Sequence, residues 1–237
     1  MEFIQSPSPN HDERKLPVSL LLLHYTGMKT GAEALERLTV VESKVSAHYL
    51  VEEEGRVFQM VDESRRAWHG GVGYWRGITD INSASIGIEV VNPGHEWGYR
   101  AFPKAQMEAV TQLCQRILSR HQILPRDVIG HSDIAPIRKE DPGELFDWRG
   151  LAAQGVGLYP SLRGVEGDAA IQNVASTTGL PRYARNDVMG QLQEYGYSIE
   201  NLEKTITAFQ RHFRPALLSG EWDEQCAEIL ASLLKSA

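Results

Sequence analysis

The sequence has few of the features that mark membrane proteins or disulfide-stabilised scaffolds. No apolar run approaches the ~18 residues of a membrane span, and the polar N-terminus "MEFIQSPSPNHDERK" lacks the apolar core of a secretory signal. The two cysteines, Cys114 and Cys226, fall in separate helical patterns, which is a poor arrangement for a disulfide. We therefore expect a cytoplasmic protein, or a periplasmic or cell-wall protein if a signal has been removed.

The chain also lacks an excess of basic residues. Its formal net charge is -7, and no Lys- and Arg-rich patch of the kind that binds a phosphate backbone stands out along it. We expect no nucleic-acid partner, and the sequence carries no indication of an oligomeric state. A chain of 237 residues with 42% hydrophobic residues can form one full core and a smaller module.

Residues 1–160 show a mixture of strand and helix patterns. The apolar run "VSLLLLHYT" predicts a central strand, "SAHYLVEEEGRVFQMV" predicts a hairpin around Glu54 and Gly55, and "SASIGIEVVN" predicts another strand. The segment "GAEALERLT" predicts a short helix, and a longer helix is expected to begin after Pro103. We predict an α/β fold with a mixed central sheet flanked by helices.

A histidine ends the four-leucine run of the first strand. His24 stands where "LLLLHYTG" leaves the strand, and packing alone gives no reason for an imidazole there. The segment from Ile123 to Gly150 reads mainly as a loop, and loops of this length are commonly functional. It contains His131 and Asp141. Two imidazoles and one carboxylate form the ligand set of a catalytic zinc, whose fourth position is left for water.

Each of these residues also has a structural interpretation. A single histidine at a strand end is more commonly a hydrogen-bonded structural residue than a ligand. The "DPG" segment opened by Asp141 is, by itself, a favourable turn. By spacing alone Asp133, two residues after His131, could supply the carboxylate instead. The chain has no HExxH, CxxC or GxxxxGKS motif, so no local motif decides between the two carboxylates.

Five segments together resemble a known family. They are "LLLHYTG", "SAHYLV..GRVFQMV", "AWHGG", "SIGIEVVN" and "GHSDIAPIRKEDPG". In this order they resemble the zinc-dependent N-acetylmuramoyl-L-alanine amidases of the type-2 amidase fold, the group of AmpD-like and AmiD-like enzymes, which is related to peptidoglycan recognition proteins. The resemblance covers residues 15–160, and the "HSDIAPIRKEDPG" loop is its most specific part.

The resemblance implies an activity and a cofactor. The activity is hydrolysis of the amide bond between N-acetylmuramic acid and the L-alanine of the stem peptide. The cofactor is Zn²⁺, held by His24, His131 and Asp141, with Asp133 left to order the loop. A zinc ion in such a site lowers the pKa of bound water to about 7.

The resemblance also assigns two catalytic roles. Glu89 takes the position of the general acid/base, and Lys139 takes that of the cation stabilising the oxyanion of the tetrahedral intermediate. Without the resemblance, Glu89 would be read as a residue on an exposed sheet face. Lys139 would likewise be read as a solvated loop lysine between Arg138 and Glu140.

Three further residues are expected to contact substrate. Trp68 and His69 lie in "AWHGG", whose glycines permit close approach of a ligand, and Tyr25 follows His24 directly. The matching family segment lines the substrate groove. His48 in "SAHYLV" is expected to be structural and to support the site from behind its ligands.

Residues 165–237 read as a second, all-α unit. The segment "LQEYGY" followed by "TITAFQRHFRP" resembles the peptidoglycan-binding type-1 repeat, with Thr205 at the position of its threonine but at an imperfect spacing. The resemblance implies affinity for wall polymer, and the alternative is a helical bundle appended for stability. Helices are expected near Ala169–Ala175 and in "DVMGQLQEYGY", "EKTITAFQRHF" and "WDEQCAEILASLL".

Two functional classes follow from these features. One is an amidase acting on peptidoglycan fragments or wall polymer, and the other is a peptidoglycan recognition protein that keeps the groove without the chemistry. The complete ligand set, together with Glu89 and Lys139, favours the amidase. The missing signal favours recycling of released anhydro-muropeptides, whereas the C-terminal unit favours intact wall as substrate, and both substrates stay open.

Overall fold

The computed structural model describes residues 2–160 and 182–236. This part of the chain contains eight strands: β1 (Ile4–Gln5), β2 (His11–Glu13), β3 (Leu20–Tyr25), β4 (Tyr49–Val51), β5 (Val57–Gln59), β6 (Arg65–Ala67), β7 (Ser85–Val90) and β8 (Val128–Gly130). It also contains nine α-helices: α1 (Gly31–Thr39), α2 (Ile81–Ala84), α3 (Gly94–Trp97), α4 (Lys104–Leu118), α5 (His131–Ile134), α6 (Trp148–Ala153), α7 (Arg182–Tyr195), α8 (Leu202–Phe213) and α9 (Glu224–Ser236).

The predicted α/β fold with a mixed central sheet is confirmed. Six strands form one sheet in the order β1-β5-β4-β7-β3-β8, and β2 pairs with β6 in a separate ribbon. Within the main sheet β3 runs parallel to both neighbours, and the predicted hairpin appears as the antiparallel pair β4 and β5. A strand with a neighbour on each side and helices over both faces is buried all round, which explains the uninterrupted leucine run.

The register of the parallel strands brings the functional segments to one edge. His24 at the end of β3 lies opposite Glu89 near the end of β7. On the other side Leu23 lies opposite Gly130, the last residue of β8, so His131 follows at the same level. The carboxyl ends of parallel strands share an edge, which is the usual position of a site in a sheet of this kind.

Most of the segment from Ile123 to Gly150 lies outside strands and α-helices, as expected, but it also contains short elements that the sequence did not predict. This segment contains β8 and the single-turn helix α5, and α6 begins before its end. A strand of three residues and a helix of four are too short to show a period in the sequence. They form because β8 completes its hydrogen bonds on β3, which no local pattern records.

The two faces of β3 pack against different parts of the chain. Alternate side chains of a strand point to opposite faces. Leu21 and Leu23 belong to the hydrophobic cluster that includes Val110 of α4, whereas Leu22 belongs to the cluster that includes Phe209 of α8 and Leu230 of α9. The C-terminal helices therefore cover apolar surface of the sheet itself.

Three of the predicted C-terminal helices are present as α7, α8 and α9, and the one expected near Ala169–Ala175 lies outside the described residues. Among the described helices, none is long and apolar enough to cross a membrane. Cys114 and Cys226 are both buried free thiols.

Candidate metal centre and catalytic groove

Three buried side chains converge at the carboxyl edge of the sheet. Nδ1 of His24 lies 2.9 Å from Nδ1 of His131, and Oδ2 of Asp141 lies 3.0 Å from each of these nitrogens. In residues 2–160 and 182–236 this is the only group of three His, Cys, Asp or Glu side chains placed to hold a metal ion. The structure thus brings together the three residues that the sequence predicted as zinc ligands.

The surrounding backbone explains why these side chains meet. His24 extends from the rigid end of β3, and His131 opens α5 directly after β8. Asp141 lies on the loop after α5, which returns to the helix because the Ser132 amide donates to the Asp141 carbonyl at 2.9 Å. His24 and His131 are therefore positioned by the ends of two neighbouring strands, and Asp141 is held to α5 by a backbone hydrogen bond.

Asp133, the alternative carboxylate, points away from this group. Its Oδ1 accepts from the Tyr197 hydroxyl at 2.7 Å, and its Oδ2 accepts from the Gly130 amide and from Nδ1 of His212, both at 2.8 Å. The side chain is fully buried and both oxygens are occupied. The geometry distinguishes the two carboxylates that spacing alone left open.

The charge state of the group suits a divalent cation. Burial, followed by the neighbouring His131, lowers the pKa of His24 to about 4. Burial opposes ionisation of Asp141, yet His131 and His24 hold the pKa of its carboxyl well below the usual range. Nε2 of His131 donates to the Gly70 carbonyl at 3.0 Å, so Nδ1 is the nitrogen of this ring that faces the Asp141 oxygen. Two imidazole nitrogens and one carboxylate oxygen within 3.0 Å of one another are a usual donor set of a catalytic zinc, so the residues fit a metal ion.

Glu89 and Lys139 both line the groove beside this group. The Oε2 atom of Glu89 is buried and has no hydrogen-bond partner among the described residues. Burial and the nearby Asp141 raise the pKa of Glu89 well above its usual value, while Lys139 works in the opposite direction. A carboxyl group with a raised pKa beside a metal site is suited to taking up and releasing a proton.

The groove encloses about 400 Å³, and Tyr25, Trp68 and His69, the predicted substrate contacts, all line it. His69 also contacts a candidate ligand, because its Nδ1 lies 3.0 Å from Nε2 of His24. Sequence reasoning missed other residues that line the groove, although the helical spacing of three of them on α1 is a usable signal. These residues include Met28, Ala34, Arg37, Leu38, Val45 and Ser46.

His48 does not line the groove. Its Nδ1 accepts from the Gly87 amide at 2.9 Å, and its Nε2 lies 3.1 Å from the Arg65 carbonyl. Burial, together with the nearby Arg14, lowers the pKa of His48 to about 3. It therefore stays neutral and joins β7 to the segment before "AWHGG".

Comparison with protein families matches residues 14–144 to Amidase_2, N-acetylmuramoyl-L-alanine amidase. The N-acetylmuramoyl-L-alanine amidase AmiD of Escherichia coli (strain K12) is 35% identical over 240 residues, which cover 92% of this chain and 83% of that protein. The 1,6-anhydro-N-acetylmuramyl-L-alanine amidase AmpD of Haemophilus influenzae is 32% identical over 164 residues, which cover 61% of this chain and 87% of that protein.

Solved structures give a similar result. The complex of E. coli AmiD with the substrate anhydro-N-acetylmuramic acid-L-Ala-D-gamma-Glu-L-Lys superposes with a TM-score of 0.79 at 34% identity, covering 99% of this chain and 92% of that chain. AMPDH3 from Pseudomonas aeruginosa, in complex with anhydromuramic pentapeptide, also has a TM-score of 0.79, at 33% identity over 92% of this chain and 91% of that chain.

The raised pKa of Glu89 predicts how the stability of the metal-free protein depends on pH. The folded state holds this proton more tightly than the unfolded chain, so the free energy of unfolding falls as pH rises from about 4.5 through the folded pKa. Glu89→Gln removes this loss. Denaturation in a chelator should show the variant more stable than wild type at about pH 7.5, with the difference shrinking towards about pH 4. A difference in unfolding free energy that does not change with pH would contradict a raised pKa of Glu89.

Proposed function

The chain belongs to the N-acetylmuramoyl-L-alanine amidase family, and on this premise we propose that it hydrolyses the amide bond between N-acetylmuramic acid and L-alanine in peptidoglycan or muropeptides. The observation that carries this proposal is the convergence of His24, His131 and Asp141 in a groove that also presents an unpartnered Glu89. The substrates named in the AmiD and AMPDH3 complexes support an anhydro-muropeptide as the soluble form.

The cofactor we propose is Zn²⁺, held by Nδ1 of His24, Nδ1 of His131 and Oδ2 of Asp141. Two neutral imidazoles and one carboxylate are a usual catalytic zinc set. A zinc ion bound there supplies an acidified water and polarises the scissile carbonyl group. The ionised Asp141 and the neutral His24 described above support this assignment.

Glu89 and Lys139 carry the proton and charge steps of the proposed reaction. Glu89 accepts a proton from the attacking water and delivers it to the nitrogen of L-alanine, which leaves as an amine. The Lys139 ammonium group stabilises the negative charge that develops on the carbonyl oxygen. Tyr25 and Trp68 orient the substrate in the groove.

A recognition protein without catalysis is the alternative, and the buried Oε2 atom of Glu89 argues against it. A buried carboxyl oxygen without a hydrogen-bond partner carries a desolvation cost. A protein that only binds its ligand has no need for such a group beside a metal site. A catalyst that moves a proton does.

We further propose that residues 1–160 form the catalytic domain and residues 165–237 a helical domain that supports it. Helix α8 contacts α5, and the pair is joined by the buried Asp133 and His212. Arg211 of α8 also reaches Glu140, next to Asp141, at 3.6 Å. These contacts support a role in holding the loop between His131 and Asp141, and wall targeting is the alternative role.

Metal analysis tests the proposed ligand set. The purified protein should contain about one zinc per chain. Substituting Ala for His24, His131 or Asp141 should empty the site and abolish amidase activity, because three protein ligands are the minimum such a centre uses. Asp133→Asn is the matched control and should retain zinc. Full zinc in Asp141→Ala with loss in Asp133→Asn would mean that the carboxylates are misassigned.

Steady-state kinetics on a soluble anhydro-muropeptide test the catalytic roles. Glu89→Gln and Lys139→Ala should keep zinc and fold but lower turnover by roughly 10² or more, as for loss of a proton carrier or an oxyanion donor. Lys104→Ala and Glu108→Gln remove an exposed pair of the same residue types on α4 and should behave as wild type. Wild-type turnover in either groove variant would reject its proposed role.

Truncation after Pro160 tests the helical domain. Since α8 and α9 cover the Leu22 face of the sheet, we expect the shortened chain to lose cleavage of soluble muropeptide and of purified sacculi to the same extent, with a lower unfolding temperature. Loss on sacculi alone would instead assign the domain to wall targeting. Unchanged activity on both substrates would leave the domain with neither role.

A further inference from the structure

A chain of hydrogen bonds leads from the backbone to the candidate ligand His24, and its direction is fixed at the far end. The carbonyl oxygen of Ile81 can only accept, so the Ser85 hydroxyl donates to it, at 2.6 Å. This uses the only proton on the Ser85 oxygen. Nε2 of His69, 3.4 Å from that oxygen, must then be the donor of a long hydrogen bond.

The same reasoning continues through His69 to His24. With its proton on Nε2, a neutral His69 presents Nδ1 as an acceptor. Nε2 of His24 lies 3.0 Å from this nitrogen and therefore carries the proton between them. The proton of His24 is thus on Nε2, and its Nδ1 lone pair faces His131 and Asp141. The order of donors determines which nitrogen His24 offers to a cation.

The fold makes specific room for the His69 ring. A Cβ atom on Gly87 would lie 2.4 Å from Nδ1 of His69. Residue 87 of β7 must therefore be glycine for the His69 ring to lie where it does. The Asn82 side-chain oxygen accepts from the amides of His69 at 3.1 Å and Gly70 at 2.7 Å. Gly70 in turn accepts from Nε2 of His131 through its carbonyl. The Nε2 atoms of His24 and His131 are therefore hydrogen-bonded to the consecutive residues His69 and Gly70. The backbone amides of both these residues donate to the Asn82 side chain.

We propose that His69 is a positioning residue, which fixes the tautomer and ring orientation of His24, and not a substrate contact as its place in "AWHGG" suggested. The proposal rests on the proposed metal-dependent amidase function. In metal sites generally, partners of this kind orient the ligand and raise its basicity, and their loss costs about 10- to 100-fold in metal affinity or activity.

Zinc affinity of the 237-residue chain, measured by competition with a chromophoric chelator, tests the proposal. His69→Ala should lower the affinity by about 10- to 100-fold, change the visible spectrum of the Co²⁺ form, and lower kcat with little change in KM. His69→Asn places a side-chain oxygen where Nδ1 now lies and should recover much of the affinity. His69→Gln is the matched control. Its longer side chain places the terminal amide where Nε2 now lies, beside Ser85, so this variant should recover less zinc affinity.

The opposite results would overturn the proposal. A substrate contact would give His69→Ala with unchanged zinc affinity, an unchanged Co²⁺ spectrum and a raised KM. Equal losses in the Ala, Asn and Gln variants would also reject it, since they would show a requirement for the ring alone. Failure of the proposed amidase function would be seen separately, as a wild-type protein that binds zinc without cleaving muropeptides. In that case the affinity comparison would still decide the role of His69.

Discussion

The pairing of β3 with β7 is the constraint on which the site depends. It sets His24 opposite Glu89, so the proposed metal ligand and the proposed proton carrier stand side by side at the edge of a buried sheet. A shift of one residue would turn one of these side chains to the opposite face. The leucines before His24, all buried on one face or the other, make such a shift costly. Core packing therefore fixes the position of His24 relative to Glu89.

The sequence predicted what local patterns and motif resemblance can carry. The long apolar strand, the hairpin and the three candidate ligands all correspond to observed features. The short strand β8 escaped prediction because its stability comes from pairing with β3. The choice between Asp133 and Asp141 also depends on partners remote in sequence, since Tyr197 and His212 occupy the Asp133 oxygens.

The C-terminal helices are packed as part of one hydrophobic interior. Leu22 of the sheet and Phe209 of α8 lie in the same cluster, and the buried Asp133 and His212 link the helices to α5 beside the groove. Apolar packing thus holds the C-terminal helices against the sheet, and a buried polar contact holds them against α5. The sequence resemblance to a wall-binding repeat did not indicate this contact, because repeat patterns describe a unit's own helices and not the surface on which it packs.

The side-chain amide of Asn82 matters for any transfer of this site to another protein. It holds His69 and Gly70, which in turn bond the outer nitrogens of His24 and His131, so both imidazoles take their orientation from a common reference. When the surrounding backbone fluctuates, the two rings are expected to move together and keep their mutual angle. A designer who grafts only His24, His131 and Asp141 onto another scaffold would transfer the donor atoms without this reference. The minimal transplantable unit includes the 69–70 segment and the side chain that anchors it.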